Sequence, residues 1–394
     1  MKIAIIKKGI PIPSADVINT LKLAQGFYNL GHKVEILTIE EFTEKLWKIK
    51  IGDIYKFYDL SEDNHIKYFK GSLLFYLRNF KFIRGIINFL VLIPRIYNLI
   101  DPEISISKYC KDNNFDLVIC RDTFRTAYNN IVNKIPTVLD LHGYENLREI
   151  GKILTVKNSK YFKGVITLNE FLKQICIKKG IPEKKIKVMD NSIDLHKYNR
   201  IISEKAKLRK KLNLPLNKKI ILYSGEPHSD RGIDIILKAA DLLNDNKLSF
   251  YFIGGDKEII KNWLLYININ KIKGDIHFVG LKPFKLIPYY LKAADVLLAT
   301  FSLNCPTLKY MSPVKIIEYM ASRTPFIATR IGRNIEICNN NECLFTEVDN
   351  AKDLSEKIMK LINNKNLQNK LIENAYNTAK EHTFKKRCKM ILKL

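Results

Sequence analysis

At 394 residues the chain is too long for one ordinary core and suits two domains, and its 46% hydrophobic content rules out a disordered or fibrous protein. Sixty-six basic residues against 40 acidic ones give a net charge of +26, a field that attracts polyanions: nucleic acid, an anionic membrane or phosphorylated substrates. Seven scattered cysteines, without a C-x-x-C pair or a histidine cluster, argue against a zinc module and for reduced thiols in the cytosol, and the opening "MKIAIIKKGI" is too short in apolar residues for a signal-peptide core.

In chain order, the first half opens with a strand at Ile3 to Ile6, the loop "KKGIPIPSA", a helix from about Asp16 to Leu30 and a strand "KVEILT". This is the β-loop-α-β start of a doubly wound domain, although the loop lacks the G-x-G-x-x-G dinucleotide fingerprint. An insertion follows at about 40–110, and residues 64–100 carry six basic residues and no acidic one among apolar side chains. Its longest uncharged run, Gly85 to Pro94, is about half of what a membrane span needs. The expectation is helices in residues 67–95 lying on an anionic bilayer surface, or a buried insertion with a basic outer face. Short strands then recur at "FDLVIC", "PTVLDL", "GVITL" and "KIKVMDN", the pattern of a parallel sheet covered on both faces.

After a polar, basic connection from Asn191 to about Lys219, a second α/β series begins with "IILYSG". Its loop "EPHSDRG" sets Gly225 at the turn and places Arg231 and Gly232 at a helix start, where a guanidinium and free N–H groups suit a diphosphate. "FIGGD" offers Gly254 and Gly255 for close backbone approach. Further on, "SPVKIIEYMASRTPFIATR" reads as a helix capped by Ser312, with Pro313 at its first position. Lys315 and Glu318 share one face of it, the lysine beside the positive end of the helix dipole, where a cation makes sense if an anion is to be held. Glu318 is then placed to accept hydrogen bonds from ribose hydroxyls. Alone, the spacing also suits a solvent-facing Lys–Glu pair. Two such halves on one linker imply a cleft between them, with ligands at the carboxyl ends of the strands.

The second half resembles glycosyltransferase family 4, the retaining nucleotide-sugar enzymes of GT-B fold. "ILYSGEPHSDRGIDIILKAADLL" looks like the family's G-x5-K-G segment, and "IHFVGLKPFKLIPYYLKAADVLLAT" like its G-x-V and A-D-V segments. "SPVKIIEYMASRTPFIAT" is similar to the nucleotide-binding E-A-M-A-x-G-x-P-V-V-A motif, most of all to a branch with SPxKxxEYMA in place of the full Glu-x7-Glu, and "LDLHGYE" to the stretch with an active-site histidine. The resemblance implies two Rossmann-like α/β domains facing across a cleft: 1–190 on the acceptor side, 191–379 binding the donor, and a C-terminal helix in 380–394 that crosses back. It also implies transfer of a hexose-type sugar from a nucleoside-diphosphate donor to a glycan or lipid-linked acceptor, in polysaccharide or glycolipid synthesis and with retention. His142, Arg231 and Glu318 are the catalytic candidates; Gly225, Glu226, Arg231, Gly254, Gly255, Ser312, Lys315 and Glu318 line the donor, and Gly9 and Ser14 the acceptor or diphosphate loop. Two positions depart from the family: Tyr310 stands where the first motif glutamate falls, and Glu226 where an arginine is usual. These departures keep open a weak or inactive GT-B partner subunit, and a nucleotide-sugar 2-epimerase of the same fold is a further alternative. The expected partners are the nucleotide-sugar, the acceptor and an anionic membrane surface through 67–95, in a cytoplasmic protein on the inner face of the membrane. No cofactor and no metal are expected, since no D-x-D site is evident, and no nucleic acid, since no recognition signature occurs.

Overall fold

The computed structural model describes residues 1–12, 14–40, 48, 52–60, 65–70, 101–143 and 149–394. Contacts divide the chain into two compact units, Met1–Asp190 with Phe384–Leu394, and Asn191–Thr383.

The first unit is built on a seven-stranded parallel sheet in the order β3-β2-β1-β4-β5-β6-β7. Its strands are β1 (Lys2–Ile6), β2 (Lys33–Glu40), β3 (His65–Lys70), β4 (Leu117–Arg121), β5 (Thr137–Leu141), β6 (Phe162–Thr167) and β7 (Ile186–Val188). β4 and β5 are buried at every position, as expected of strands with both faces covered. The order reverses between β1 and β4, so their carboxyl ends form a topological switch point. The helix Ala15–Tyr28 follows β1, and the C-terminal helix Phe384–Ile391 packs over its Gly26. A Cβ on Gly26 would meet Cys388 Sγ at 3.0 Å and Phe384 Cβ at 3.1 Å, so the missing side chain sets how closely the two helices approach.

One expectation fails here. Lys67, assigned above to a surface helix, sits in strand β3, because "HIKYFK" pairs in parallel register with β2 from Glu35↔His65 onward. Its ammonium lies 3.7 Å from the centroid of the Tyr109 ring. From residue 71 the basic apolar stretch lies outside the described residues. Among the described residues no helix is long and apolar enough to cross a membrane, and no group of three or more His, Cys, Asp or Glu gathers around a possible metal position. All seven cysteines are free thiols.

The second unit holds a six-stranded parallel sheet in the order β10-β9-β8-β11-β12-β13. These are β8 (Lys219–Ser224), β9 (Leu248–Ile253), β10 (Ile276–Gly280), β11 (Val296–Ala299), β12 (Phe326–Thr329) and β13 (Leu344–Thr346). Two apolar clusters cover the sheet's faces: one includes Leu222, Leu297, Ile316, Ile317 and Tyr319, the other Ile221, Phe250, Phe252, Ile233 and Leu354. The switch point lies between β8 and β11.

Candidate functional site

At the second unit's switch point, β8 ends at Ser224 and the chain turns at Gly225, with φ of 128°, before the short turn Ser229–Arg231. Gly254, after β9, packs so tightly that a Cβ there would overlap the Gly225 carbonyl, and one on Gly255 would meet Pro227 Cδ at 2.8 Å. These glycines are required by backbone packing on backbone. Gly232, with φ of 65°, begins the helix Ile233–Leu243, whose first turn has no side-chain cap.

The helix Val314–Ser322 follows the loop after β11. It starts where the sequence places it, but Pro313 is the N-cap and no side chain caps it. Ser312 does not cap the helix: its hydroxyl accepts the Asn191 backbone N–H at 3.1 Å and its carbonyl the Asn191 side-chain amide at 2.7 Å, which turns it away from the helix N–H groups. Tyr319, which the sequence did not single out, fixes the helix to the sheet. Its hydroxyl accepts the Ser224 N–H at 3.0 Å and donates to the Leu298 carbonyl at 3.2 Å, tying one helix to the ends of both switch-point strands.

That anchoring brings Lys315 beneath Gly225, where a Cβ would lie 3.3 Å from its Nζ. The ammonium is 3.9 Å from the centroid of Tyr223 and 5.4 Å from that of Phe301, and it has no hydrogen-bond partner among the described residues. Burial, then the Arg231 charge, holds it well below the usual lysine range. Arg231 lies 5.2 Å from Phe301 and donates through Nη1 to Cys305 Sγ at 3.2 Å, while its carbonyl accepts the Thr300 hydroxyl at 2.7 Å. Glu318 is 8% exposed, and burial pushes its carboxyl up to about 7 against the opposing pull of Lys315 and the Tyr198 hydroxyl. The arrangement is therefore two cations on apolar ring faces beside an uncapped helix start, with a carboxyl one turn further in. It matches the needs of a dianion attached to hydroxyls. Tyr310 sits in the turn before the helix, its N–H on the Thr307 carbonyl, and the exposed Glu226 pairs with His228 at 3.1 Å.

The first unit has its own cluster at its own switch point. His142 follows β5, its backbone N–H donating to Asp122 Oδ1 at 2.9 Å. Its Nδ1 is 3.5 Å from Asp16 Oδ1 and its Nε2 3.3 Å from Asp140 Oδ1. Arg121, fully buried at the end of β4, donates to Asp140 Oδ2 through Nη2 at 2.7 Å and to Asp16 Oδ1 at 3.3 Å, and Lys7 pairs with Asp16. Burial raises the Asp16 carboxyl, but His142, Arg121 and Lys7 bring it down to about 2; burial likewise opposes Arg121, His142 and Arg387, which hold Asp140 well below the carboxylate range. Asp122 goes the other way, pushed up by burial. Ser14 caps the helix Ala15–Tyr28, its hydroxyl accepting the Val17 N–H at 3.2 Å, so a capping bond already occupies it. Gly9 turns its loop with φ of 85°, and a Cβ there would touch Ile12 Cδ1 at 3.8 Å.

Known proteins share both the sequence pattern and this architecture. The profile of the family described as glycosyl transferases group 1 matches residues 204–378, which include the loop after β8 and the helix Val314–Ser322. The second unit thus carries the sequence pattern of this family. An uncharacterized glycosyltransferase of Methanocaldococcus jannaschii is 28% identical over 267 residues, 64% of this chain and 66% of that protein. The N,N'-diacetylbacillosaminyl-diphospho-undecaprenol alpha-1,3-N-acetylgalactosaminyltransferase of Campylobacter jejuni is 29% identical over 229 residues, 57% of each chain. The chain thus spans less than two thirds of the length of these two curated relatives. Among solved structures, Anabaena HepE in complex with UDP superposes with a TM-score of 0.73 at 15% identity, covering 100% of both chains. At that identity the likeness speaks for the fold, two Rossmann-like domains of the GT-B kind.

Proposed function

We propose that the chain is a glycosyltransferase that moves a hexose-type sugar from a nucleoside-diphosphate donor to a glycan or lipid-linked acceptor in the synthesis of cell-surface polysaccharide or glycolipid. The observation that carries this reading is the buried Lys315 ammonium with no hydrogen-bond partner among the described residues, set beside Arg231 at the carboxyl ends of β8 and β11. A buried cation left unpartnered is costly, and a diphosphate supplies the missing acceptors. Glu318, one turn on, accepts the ribose hydroxyls.

In the transfer, negative charge gathers on the departing nucleoside diphosphate while the sugar becomes oxocarbenium-like. Arg231, Lys315 and the uncapped helix starts stabilise that charge in place, and His142 donates a hydrogen bond to the sugar. Retention of configuration belongs to the same proposal. Two comparisons support the substrate classes: the related fold of HepE was solved with UDP and with UDP-glucose, and the Campylobacter relative is named for a diphospho-undecaprenol acceptor. Tyr310, in place of a motif glutamate, favours one second reading, a subunit that binds nucleotide without turning it over. The proposed place is the inner face of the cell membrane, reached through the basic stretch 67–95, which co-sedimentation with anionic vesicles tests.

Incubation with UDP-, GDP- and ADP-sugars should release a nucleoside diphosphate slowly from one of them. Arg231→Ala should lower that turnover and Glu318→Ala weaken nucleotide binding. No release together with no thermal shift by any nucleotide sinks the transferase reading; a shift without release, even with acceptor present, favours the binding subunit.

A further inference from the structure

The C-terminal helix carries Arg387, 3% exposed, whose guanidinium reaches back to a strand residue 247 positions away. Its Nη2 donates to Asp140 Oδ1 at 3.0 Å, and its Nη1 forks onto the carbonyls of Met189 and Asp190 at 2.6 Å each. Two carbonyls, one carboxylate oxygen and the close helix contact over Gly26 fix this group in place. Asp140 is fully buried, and its two oxygens have divided partners: Oδ2 belongs to Arg121, whereas Oδ1 lies between Arg387 and His142 Nε2.

The imidazole is 3.3 Å from that oxygen, yet its Nε2 makes no hydrogen bond among the described residues. Arg387 holds the better geometry on Oδ1. We propose that Arg387 is a positioning residue for the transfer reaction, occupying Asp140 Oδ1 so that His142 Nε2 stays available to substrate. Without this competitor, a fully buried carboxylate oxygen would have the imidazole as its nearest remaining partner, and the ring would turn onto it. A remote helix thereby sets which way the histidine points. The charged groups around the ring are Asp16 from the first helix, Arg121 at the end of β4 and Asp122 just after it, Asp140 from β5, Lys7 through Asp16, and Arg387. Removing one cation from this set also strengthens the field of Asp140 on the ring.

The inference rests on the reading that His142 meets substrate, and its test separates the two. Long-range 1H–15N spectra of the full chain report the His142 ring, assigned with His142→Ala, and nucleotide release is measured on the same samples. In Arg387→Gln, which keeps donors for the carbonyls but loses the charge, the His142 ring signals should move and a protected Nε2 proton should appear. Turnover should fall roughly 10- to 100-fold with nucleotide affinity unchanged. Arg387→Lys, restoring the charge, should recover most of both. An imidazole signal that stays put in the Gln variant, or equal losses in the Gln and Lys variants, overturns the proposal. So does a protected Nε2 proton already present in the wild type, a measurement that needs no folded variant. If the wild type releases no nucleotide while the ring responds as described, the transferase reading fails and the Arg387–His142 coupling stands.

Discussion

Replacing Lys315 by methionine should stabilise the empty protein and weaken its hold on nucleotide, two effects of opposite sign from one substitution. In the ligand-free chain the ammonium is buried, lacks a hydrogen-bond partner among the described residues, and is compensated by two ring faces at 3.9 and 5.4 Å. The rings return at most about 2 kcal/mol each, whereas an unpartnered buried charge costs several. Methionine fills nearly the same volume without the charge. Glu318 loses its nearest cation, but its carboxyl, already at about 7, rises further and protonates at neutral pH, so no stranded anion is left. The balance favours the variant by roughly 1–2 kcal/mol, or about 2–8 °C in melting temperature for a domain of this size. A charged hydrogen bond to phosphate contributes about 1.5–3 kcal/mol, so the dissociation constant for the preferred nucleoside diphosphate should rise roughly 10- to 150-fold. Differential scanning calorimetry without ligand and titration calorimetry with UDP, GDP and ADP measure the two quantities. A variant that melts lower than wild type and binds nucleotide equally well refutes the reasoning, because Lys315 would then be a structural cation.

Four other outcomes follow from the same geometry. The Glu318 carboxyl, raised to about 7 from the usual 4.5, makes the folded state hold the extra proton between those values. Stability should therefore fall as pH rises through that window, by on the order of 3 kcal/mol, and denaturant titrations of Glu318→Gln should show the slope flattened. Asp16, held at about 2 against the usual 3.8, contributes stability that is present above pH 4 and lost as pH falls toward 2; Asp16→Asn should remove that part of the acid transition. Gly254→Ala forces a Cβ into the Gly225 carbonyl at a φ of 125°, so a loss of about 1–3 kcal/mol together with weaker nucleotide binding is expected in melts and titrations. Ile317→Ala, at a fully buried position on the same helix as Lys315, should cost about 2–5 kcal/mol in a denaturant melt, leaving nucleotide affinity of the folded fraction within a few-fold of wild type.

The parallel sheets were legible because apolar runs such as "FDLVIC" and "IILYSG" alternate with helix-length segments, and both doubly wound domains follow from that period. The start of the helix at Val314 was legible from "SP", though the same dipeptide misled about Ser312, whose hydroxyl is taken by Asn191, a residue 121 positions away. Spacing put Lys315 and Glu318 on one face but said nothing of their burial, which depends on Tyr223 from β8, Phe301 from the loop after β11 and Tyr198 from another helix. "LDLH" offered a signal for Asp140, a charge inside an apolar strand two residues before His142, that the sequence reading passed over. Arg121 and Arg387 gave less: one ends a strand, the other lies in a lysine-rich terminal helix, and only the fold brings both to one carboxylate. The strand at His65–Lys70 was hidden because apolar and basic residues also suit a surface helix over so short a span.

Hydrogen exchange followed by mass spectrometry tests most directly where nucleotide binds. Adding the nucleoside diphosphate that shifts the melting temperature should slow exchange in peptides covering residues 225–232 and 314–318, and the protection should vanish in Lys315→Met at the same ligand concentration. Protection confined to the first unit, or absent from both of these segments, contradicts the assignment of the donor to the switch point between β8 and β11.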